Sequence, residues 1–228
     1  MGAEEKGAAL PRPRSAALFW LAWLGGLALL GLLAALASLY DYFPADLRIA
    51  YWLQREGSIP LWSGVATFLR DLGNLPSTLI WVLVTAFLLL SRRYPEGILV
   101  FSSVLPRLAQ GLLKEAVARP RPAEDLVWVR EHPASFSFPS GHVVTALTLF
   151  GLLLLLAPVV IRQPLPRLAL QGLCLFVVLG MGPASVHTGA HWPSDVLGGY
   201  LLGVLYLALA LRCYRRWHRA SEQTTPSR

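Results

Sequence analysis

The residues best placed to do chemistry begin at Pro139-Ser140-Gly141-His142, a polar tetrad preceded by Phe138 at the mouth of an apolar run from Val143 to Ile161. Ser140 and Gly141 stand where a helix would begin. The first turn of a helix carries backbone N–H groups without intrahelical partners, and a partial positive charge. A small hydroxyl and a residue without a side chain let an anion approach those groups closely. His142 adds a titratable ring nitrogen beside any anion held there. Read alone, the tetrad is equally an ordinary N-cap, in which Pro139 sets the entry, Ser140 caps and His142 is a bystander.

Two further clusters carry unusual polar residues. Lys114-Glu115-Ala116-Val117-Ala118-Arg119-Pro120-Arg121-Pro122 sets Lys114 and Arg121 seven residues apart. That is two helical turns if the helix persists, so both point to one side, and Arg121 offers a planar fork suited to phosphate. The plain alternative is a pair of basic side chains snorkelling at a helix end. In His191-Trp192-Pro193-Ser194-Asp195, Pro193 suits the first turn of another apolar segment and Asp195 falls in that same turn. A carboxylate there holds one imidazole N–H of His191, sets the tautomer and leaves the other nitrogen free as a nucleophile. The alternative is a first-turn charge beside an interfacial ring. His187, His191 and Asp195 are spaced by four, as zinc ligands on one helix face would be, but Gly189 and Pro193 interrupt such a helix. No metal is expected.

Composition states what kind of scaffold positions these clusters. The 228 residues are 55% hydrophobic and 14% charged, with a mean hydropathy of +0.52. That charged fraction is about half the ~25% of soluble domains. The expected fold is all-α, a six-span transmembrane helical bundle at ~20 residues per span. The spans read Ala16–Tyr40, Pro76–Leu90, Gly97–Ala118, Ser140–Ile161, Leu168–Ala184 and Ser194–Leu211. The first is too long for a signal-peptide core and shows no small-residue cleavage site. The third contains Ser102, Ser103, Pro106, Arg107 and Gln110, so it does not face lipid all round. Asp41–Asn74 mixes Tyr42, Phe43, Tyr51, Trp52 and Trp62 with charges, which predicts an interfacial helical segment between spans one and two.

The expected organisation is a cytoplasmic tail over 1–15, one transmembrane domain over 16–211 and a second cytoplasmic tail over 212–228. With both termini inside, inner segments hold twelve of the twenty basic residues and outer loops hold seven, which agrees with the positive-inside bias. The net charge of +7 is dispersed between apolar runs, so it reads as topology and site residues rather than as a nucleic-acid surface. Cys174 and Cys213 imply neither a disulfide framework nor a metal knuckle. The three clusters then share one outer, non-cytoplasmic face.

Together the clusters resemble the type 2 phosphatidic acid phosphatase family, whose relatives include glucose-6-phosphatase and the vanadium haloperoxidases. The family pattern is Lys, six residues, Arg-Pro; then Pro-Ser-Gly-His; then Ser-Arg, five residues, His, three residues, Asp. Lys114 to Arg121-Pro122 follows the first part, Pro139 to His142 the second, and His191 with Asp195 the end of the third. The resemblance covers about Asp41 to Leu211. It implies a multi-pass lipid phosphatase of the cell membrane whose partners are the bilayer and a lipid phosphate: phosphatidic acid, phosphatidylglycerophosphate or a polyprenyl diphosphate. It implies that His191 attacks phosphorus to give a phosphohistidine and that Asp195 orients it. His142 protonates the leaving oxygen and then activates water. Lys114, Arg121, Ser140, the Gly141 N–H and Ser185 hold the phosphate, with no cofactor.

One position departs. Ala184-Ser185 stands where the family has Ser-Arg. Losing a charge-assisted contact costs ~1.5–3 kcal/mol. His187, Arg119 and Arg107 are the candidates to replace it, with Arg107 about 10 Å deeper along the helix face of Lys114. Two other functions fit the same residues. One is a phosphotransferase of the same family. The other is an impaired protein that binds anionic lipid, a reading favoured by Ser185.

Overall fold

The computed structural model describes residues 13–56 and 60–224. The first twelve residues of the expected N-terminal tail, with Lys6 and Arg12, lie outside the described residues, as do 57–59 of the expected interfacial stretch and 225–228 with Arg228. All regular structure among the described residues is helical: α1 (Pro13–Leu39), α2 (Pro44–Glu56), α3 (Pro60–Leu72), α4 (Leu75–Leu90), α5 (Tyr94–Phe101), α6 (Val104–Val117), α7 (Gly141–Thr145), a π turn over Ala146–Phe150, α8 (Gly151–Val160), α9 (Pro164–His187) and α10 (Pro193–Thr224).

Among the described residues, four segments are long and apolar enough to cross a membrane: Ala16–Leu39, Gly141–Val160, Pro164–His187 and Pro193–Trp217. They match four of the expected spans closely. The second runs unbroken through α7, the π turn and α8. α10 continues well past Leu211, through most of the stretch expected as the C-terminal tail. α1 lies against α10, where Trp23 Nε1 donates to Leu205 O at 2.9 Å. Its outer face exposes Leu18, Leu21, Leu24, Leu29 and Leu32. A contiguous apolar surface of this kind suits lipid rather than water.

Of the two remaining expected spans, Pro76–Leu90 is the short helix α4 and Gly97–Ala118 is interrupted. α4 has only 16 residues; together with α3, across a bend of 52°, it makes either a broken span or a re-entrant loop. α3, expected at the headgroup level, runs on into α4 across that bend. The expected third span is cut at Ser102-Ser103 into α5 and α6. Pro106 explains the cut, because it has no N–H to offer the carbonyl four residues back and its ring crowds that carbonyl. Ser102 Oγ and Ser103 Oγ donate back to Leu99 O and Val100 O at 2.8 Å each. These local bonds compete with the helix ladder at the break.

The main apolar core joins α3, α4, α5, the helix through the π turn, α9 and α10, around Leu69, Val100, Val143, Leu152, Val177 and Met181.

Candidate active site

The α3–α4 bend, one face of α6, the start of α7 and the loops after α6 and α9 enclose a cavity of about 370 Å³. Each contribution has a local cause. Arg107, Gln110 and Lys114 follow helical three- and four-residue spacing, so α6 presents all three to the cavity. Lys114 Nζ donates to Ser135 Oγ at 3.3 Å and to Phe136 O. α6 stops at Val117, with Ala118 left-handed at φ 51°, and Pro120 and Pro122 follow. The helix therefore does not persist to Arg121, as the two-turn reading assumed. Arg121 instead reaches back from the loop. Its Nε donates to Ser135 O at 2.7 Å, Nη2 to Ser135 Oγ at 3.0 Å and Nη1 to Ala190 O at 2.6 Å. Lys114 and Arg121 thus meet, through Ser135 rather than through helical register.

His142 and Gly141 open α7 on the cavity wall. His142 Nε2 lies 3.0 Å from Asn74 Oδ1. Gly73 permits that approach, since a Cβ there would stand 2.2 Å from His142 Cδ2. Ser140 is fully buried at the N-cap position, and its Oγ has no hydrogen-bond partner. An unsatisfied buried hydroxyl beside unpaired helix N–H groups is a place where an anion oxygen would be stabilised.

His191 sits in the α9–α10 loop, which turns at Gly189 with φ +66°. A Cβ at Gly189 would meet Trp128 O at 2.1 Å, so glycine is required there. The His191 Nε2 faces Arg121 Nη1 at 3.4 Å. Burial, and then the charges of Arg121, Arg70 and Lys114, hold the ring well below the ordinary imidazole range, against a hydrogen bond to the Ser137 backbone. His191 is thus neutral at neutral pH, and its Nε2 lone pair is turned toward the Arg121 guanidinium, which can only donate. Burial and the neighbouring Arg70 lower Arg121 to about 10, which leaves it charged at neutral pH.

Asp195 falls in the first turn of α10, as expected, but its contact with His191 is long. Nδ1 lies 3.8 Å from Asp195 Oδ2. That oxygen is occupied by Ser137 Oγ at 2.5 Å and by the Trp192 N–H at 2.8 Å. Ser137 Oγ in turn lies 3.4 Å from His191 Nδ1. The orienting link therefore runs largely through Ser137, which the sequence reading did not single out. Asp195 Oδ1 accepts from Arg119 Nη1 at 2.7 Å, and Arg119 Nη2 donates to Asp46 Oδ2 at 3.0 Å. Asp46 also accepts from the Ser194 backbone N–H and from Ser194 Oγ. This buried chain fastens α2, the loop after α6 and α10 together behind the α9–α10 loop.

The structure brings Lys114, Arg121, Gly141, His142 and His191 to the cavity, with Asp195 and Ser140 set close behind. It does not bring Ser185 there. Ser185 is fully buried in α9, and its Oγ donates to Met181 O at 2.8 Å within the helix. Its backbone carbonyl accepts from Ala190 and His191, so the residue shapes the α9–α10 loop rather than the cavity wall. Two of the expected substitutes are also elsewhere. Arg119 is committed to Asp46 and Asp195, and His187 lies 3.2 Å from Ser63 Oγ and 3.3 Å from Leu53 O. Arg107 does line the cavity, with an exposed side chain. Sequence reading missed Arg70, Asn74, Ser137 and Glu131. No local pattern marks them, although the Gly73-Asn74 pair was a turn signal.

Residues 95–219 match the PAP2 superfamily. The chain belongs to that superfamily. It is 33% identical to phosphatidylglycerophosphatase B of Bacillus subtilis over 137 residues, 56% of this chain and 63% of that protein. It is 31% identical to undecaprenyl-diphosphatase of Sulfolobus acidocaldarius over 146 residues, 62% of this chain and 65% of that protein. The chain thus spans just under two thirds of the length of these relatives. Its fold is that of the crystal structure of a transmembrane PAP2-type phosphatidylglycerolphosphate phosphatase from Bacillus subtilis, with a TM-score of 0.69 and 23% identity over 90% of this chain and 98% of that one. With its apolar helices, the superfamily member described here is a multi-pass membrane protein.

Proposed function

We propose that this chain hydrolyses a phosphate monoester or diphosphate carried by a membrane lipid. The observation that carries the reading is the cavity itself: two imidazoles, His191 and His142, share it with Lys114 and Arg121, and the His191 Nε2 stands beside the Arg121 fork. A neutral His191 attacks phosphorus and displaces the lipid oxygen, forming a P–N bond. His142 gives that oxygen its proton, then takes one from the water that cleaves the P–N bond. Lys114, Arg121, Ser140 Oγ and the first N–H groups of α7 stabilise the charge that builds on the phosphoryl oxygens. His191 is held by Ser137 and, behind it, by Asp195.

A second cavity of about 240 Å³ shares Arg107 and Thr145 with the first and is walled by α4, α6 and the π-turn helix. Its position supports a lipid whose headgroup enters the catalytic cavity while a chain lies between those helices. We read six crossings, with α3–α4 and α5–α6 as broken spans, α2 at the interface and both termini cytoplasmic. That places the site on the non-cytoplasmic face of the cell membrane, next to lipid headgroups. Ser185 no longer argues for an impaired lipid-binding protein, because its side chain is turned into α9 and leaves the cavity cations in place.

Phosphate release by purified protein over a panel of phosphatidic acid, phosphatidylglycerophosphate and polyprenyl diphosphate tests the reading. Turnover should be accompanied by an acid-labile phosphoprotein, and His191→Ala should remove both. Substantial residual turnover in that variant refutes the nucleophile assignment. Phosphate transfer to an added acceptor lipid in place of release identifies a phosphotransferase.

A further inference from the structure

Arg70 lies outside all three sequence clusters, near the end of α3, yet it lines the same cavity as Lys114, Arg121, His142 and His191. It is 1% exposed. Its Nη2 donates to Glu131 Oε2 at 3.0 Å. Its Nε and Nη1 are buried without a hydrogen-bond partner. Unpartnered N–H groups on a buried cation are costly and rarely left without purpose.

As a purely structural ion pair the arrangement is incomplete. A carboxylate serving only to neutralise Arg70 would be as buried as its partner and would engage the guanidinium fork on two sides. Glu131 makes a single contact, its side chain is 30% exposed, and it belongs to the loop between α6 and α7. Among the cavity-lining residues, Arg70, Arg107, Lys114 and Arg121 face Glu131 as the one carboxylate. This excess of positive charge calls for an anion, and Glu131 is the group from which that anion would take Arg70.

We propose that Arg70 binds the substrate phosphate, and that Glu131 is its built-in counter-ion, displaced when the phosphate arrives. The proposal rests on the phosphatase reading above. It supplies, from α3, the cation that the family resemblance led us to expect at Ser185. The 52° bend between α3 and α4 is what turns the end of α3, with Arg70, Gly73 and Asn74, onto the cavity wall.

The test is retention of radiolabelled inorganic phosphate by the purified full chain in detergent, measured by equilibrium dialysis without turnover. Thermal midpoints and lipid phosphate hydrolysis are followed in parallel. Arg70→Ala should weaken retention about 10–100-fold, the value of a charge-assisted contact. Arg70→Lys should fall between, since it keeps the charge and loses the fork. Glu131→Gln should act in the opposite sense and tighten retention about 3–10-fold by removing a competing carboxylate. Wild-type retention in Arg70→Ala overturns the proposal, as does a wild type that retains no phosphate. If Arg70→Ala does not fold, Glu131→Gln decides alone: tighter binding supports the displacement, and unchanged or weaker binding refutes it. A wild type that retains phosphate but hydrolyses no lipid phosphate defeats the lipid phosphatase reading, while the ranking of the variants still decides Arg70.

Discussion

Replacing Ser137 with Ala removes one hydroxyl of the α6–α7 loop, where that loop meets Asp195 and His191. That hydroxyl donates to Asp195 Oδ2 at 2.5 Å and lies 3.4 Å from His191 Nδ1. A hydrogen bond to a charged, buried acceptor contributes roughly 1.5–3 kcal/mol. Asp195 would not be orphaned, because Arg119 and the Trp192 N–H still reach it at 2.7 and 2.8 Å. The stability loss should therefore sit at the lower end of that range. His191 is affected differently. With Ser137 truncated, Nδ1 faces Asp195 across 3.8 Å, too long for a hydrogen bond, and the ring loses its side-chain guide. Misorientation of a nucleophile acts on the transition state more than on the bound substrate, so kcat should fall about 10–100-fold with KM little changed. Ser137→Thr, which keeps the hydroxyl, should recover part of the loss. The assay is steady-state hydrolysis combined with the initial rate of acid-labile phosphoprotein formation, since the defect belongs to the first step. A normal kcat with a lowered thermal midpoint would refute the orienting role and leave Ser137 as a packing residue.

Further outcomes follow from the same geometry. Arg119→Ala leaves Asp46 and Asp195 as buried, uncompensated carboxylates, and should lower stability by about 3–5 kcal/mol, read as a fall in the thermal midpoint in detergent. Ser185→Arg should not raise turnover, because the site is fully buried in α9; an overpacked, charged side chain there should lower stability by at least about 1–3 kcal/mol in chemical denaturation. Because the His191 pKa is depressed in the folded state, its contribution to stability is present above the unfolded value near 6.5 and is lost as pH falls below it, at up to about 1.4 kcal/mol per pH unit. His191→Gln should flatten the pH dependence of the thermal midpoint between pH 6.5 and 5. Single cysteines at Ala123 and Ala220, in a chain lacking Cys174 and Cys213, should label from opposite sides of the membrane; labelling of both from one side would overturn the proposed topology.

The sequence by itself determined the helical class, four segments long and apolar enough to cross a membrane, and the three polar clusters. These features are local. A run of about twenty apolar residues, a proline at a helix start, or a small-residue tetrad before an apolar stretch acts through neighbours in the chain. His142, His191, Lys114, Arg121 and Asp195 were legible for that reason. What joins them was not. Ser137 lies between Asp195 and His191 through contacts that span 58 and 54 positions of chain, and Asn74 reaches His142 across 68. Arg119 was a candidate to replace the charge missing at Ser185, but the tertiary structure commits it to Asp46, 73 positions away. Ser185 stood at a phosphate position in the sequence pattern, yet packing turned its side chain into its own helix. Arg70 read as one charge in an amphipathic stretch until the bend between α3 and α4 brought it to the cavity. A lone charged residue has no local signature, because its partner is chosen by how helices cross, and that choice is made by the packing of the whole bundle.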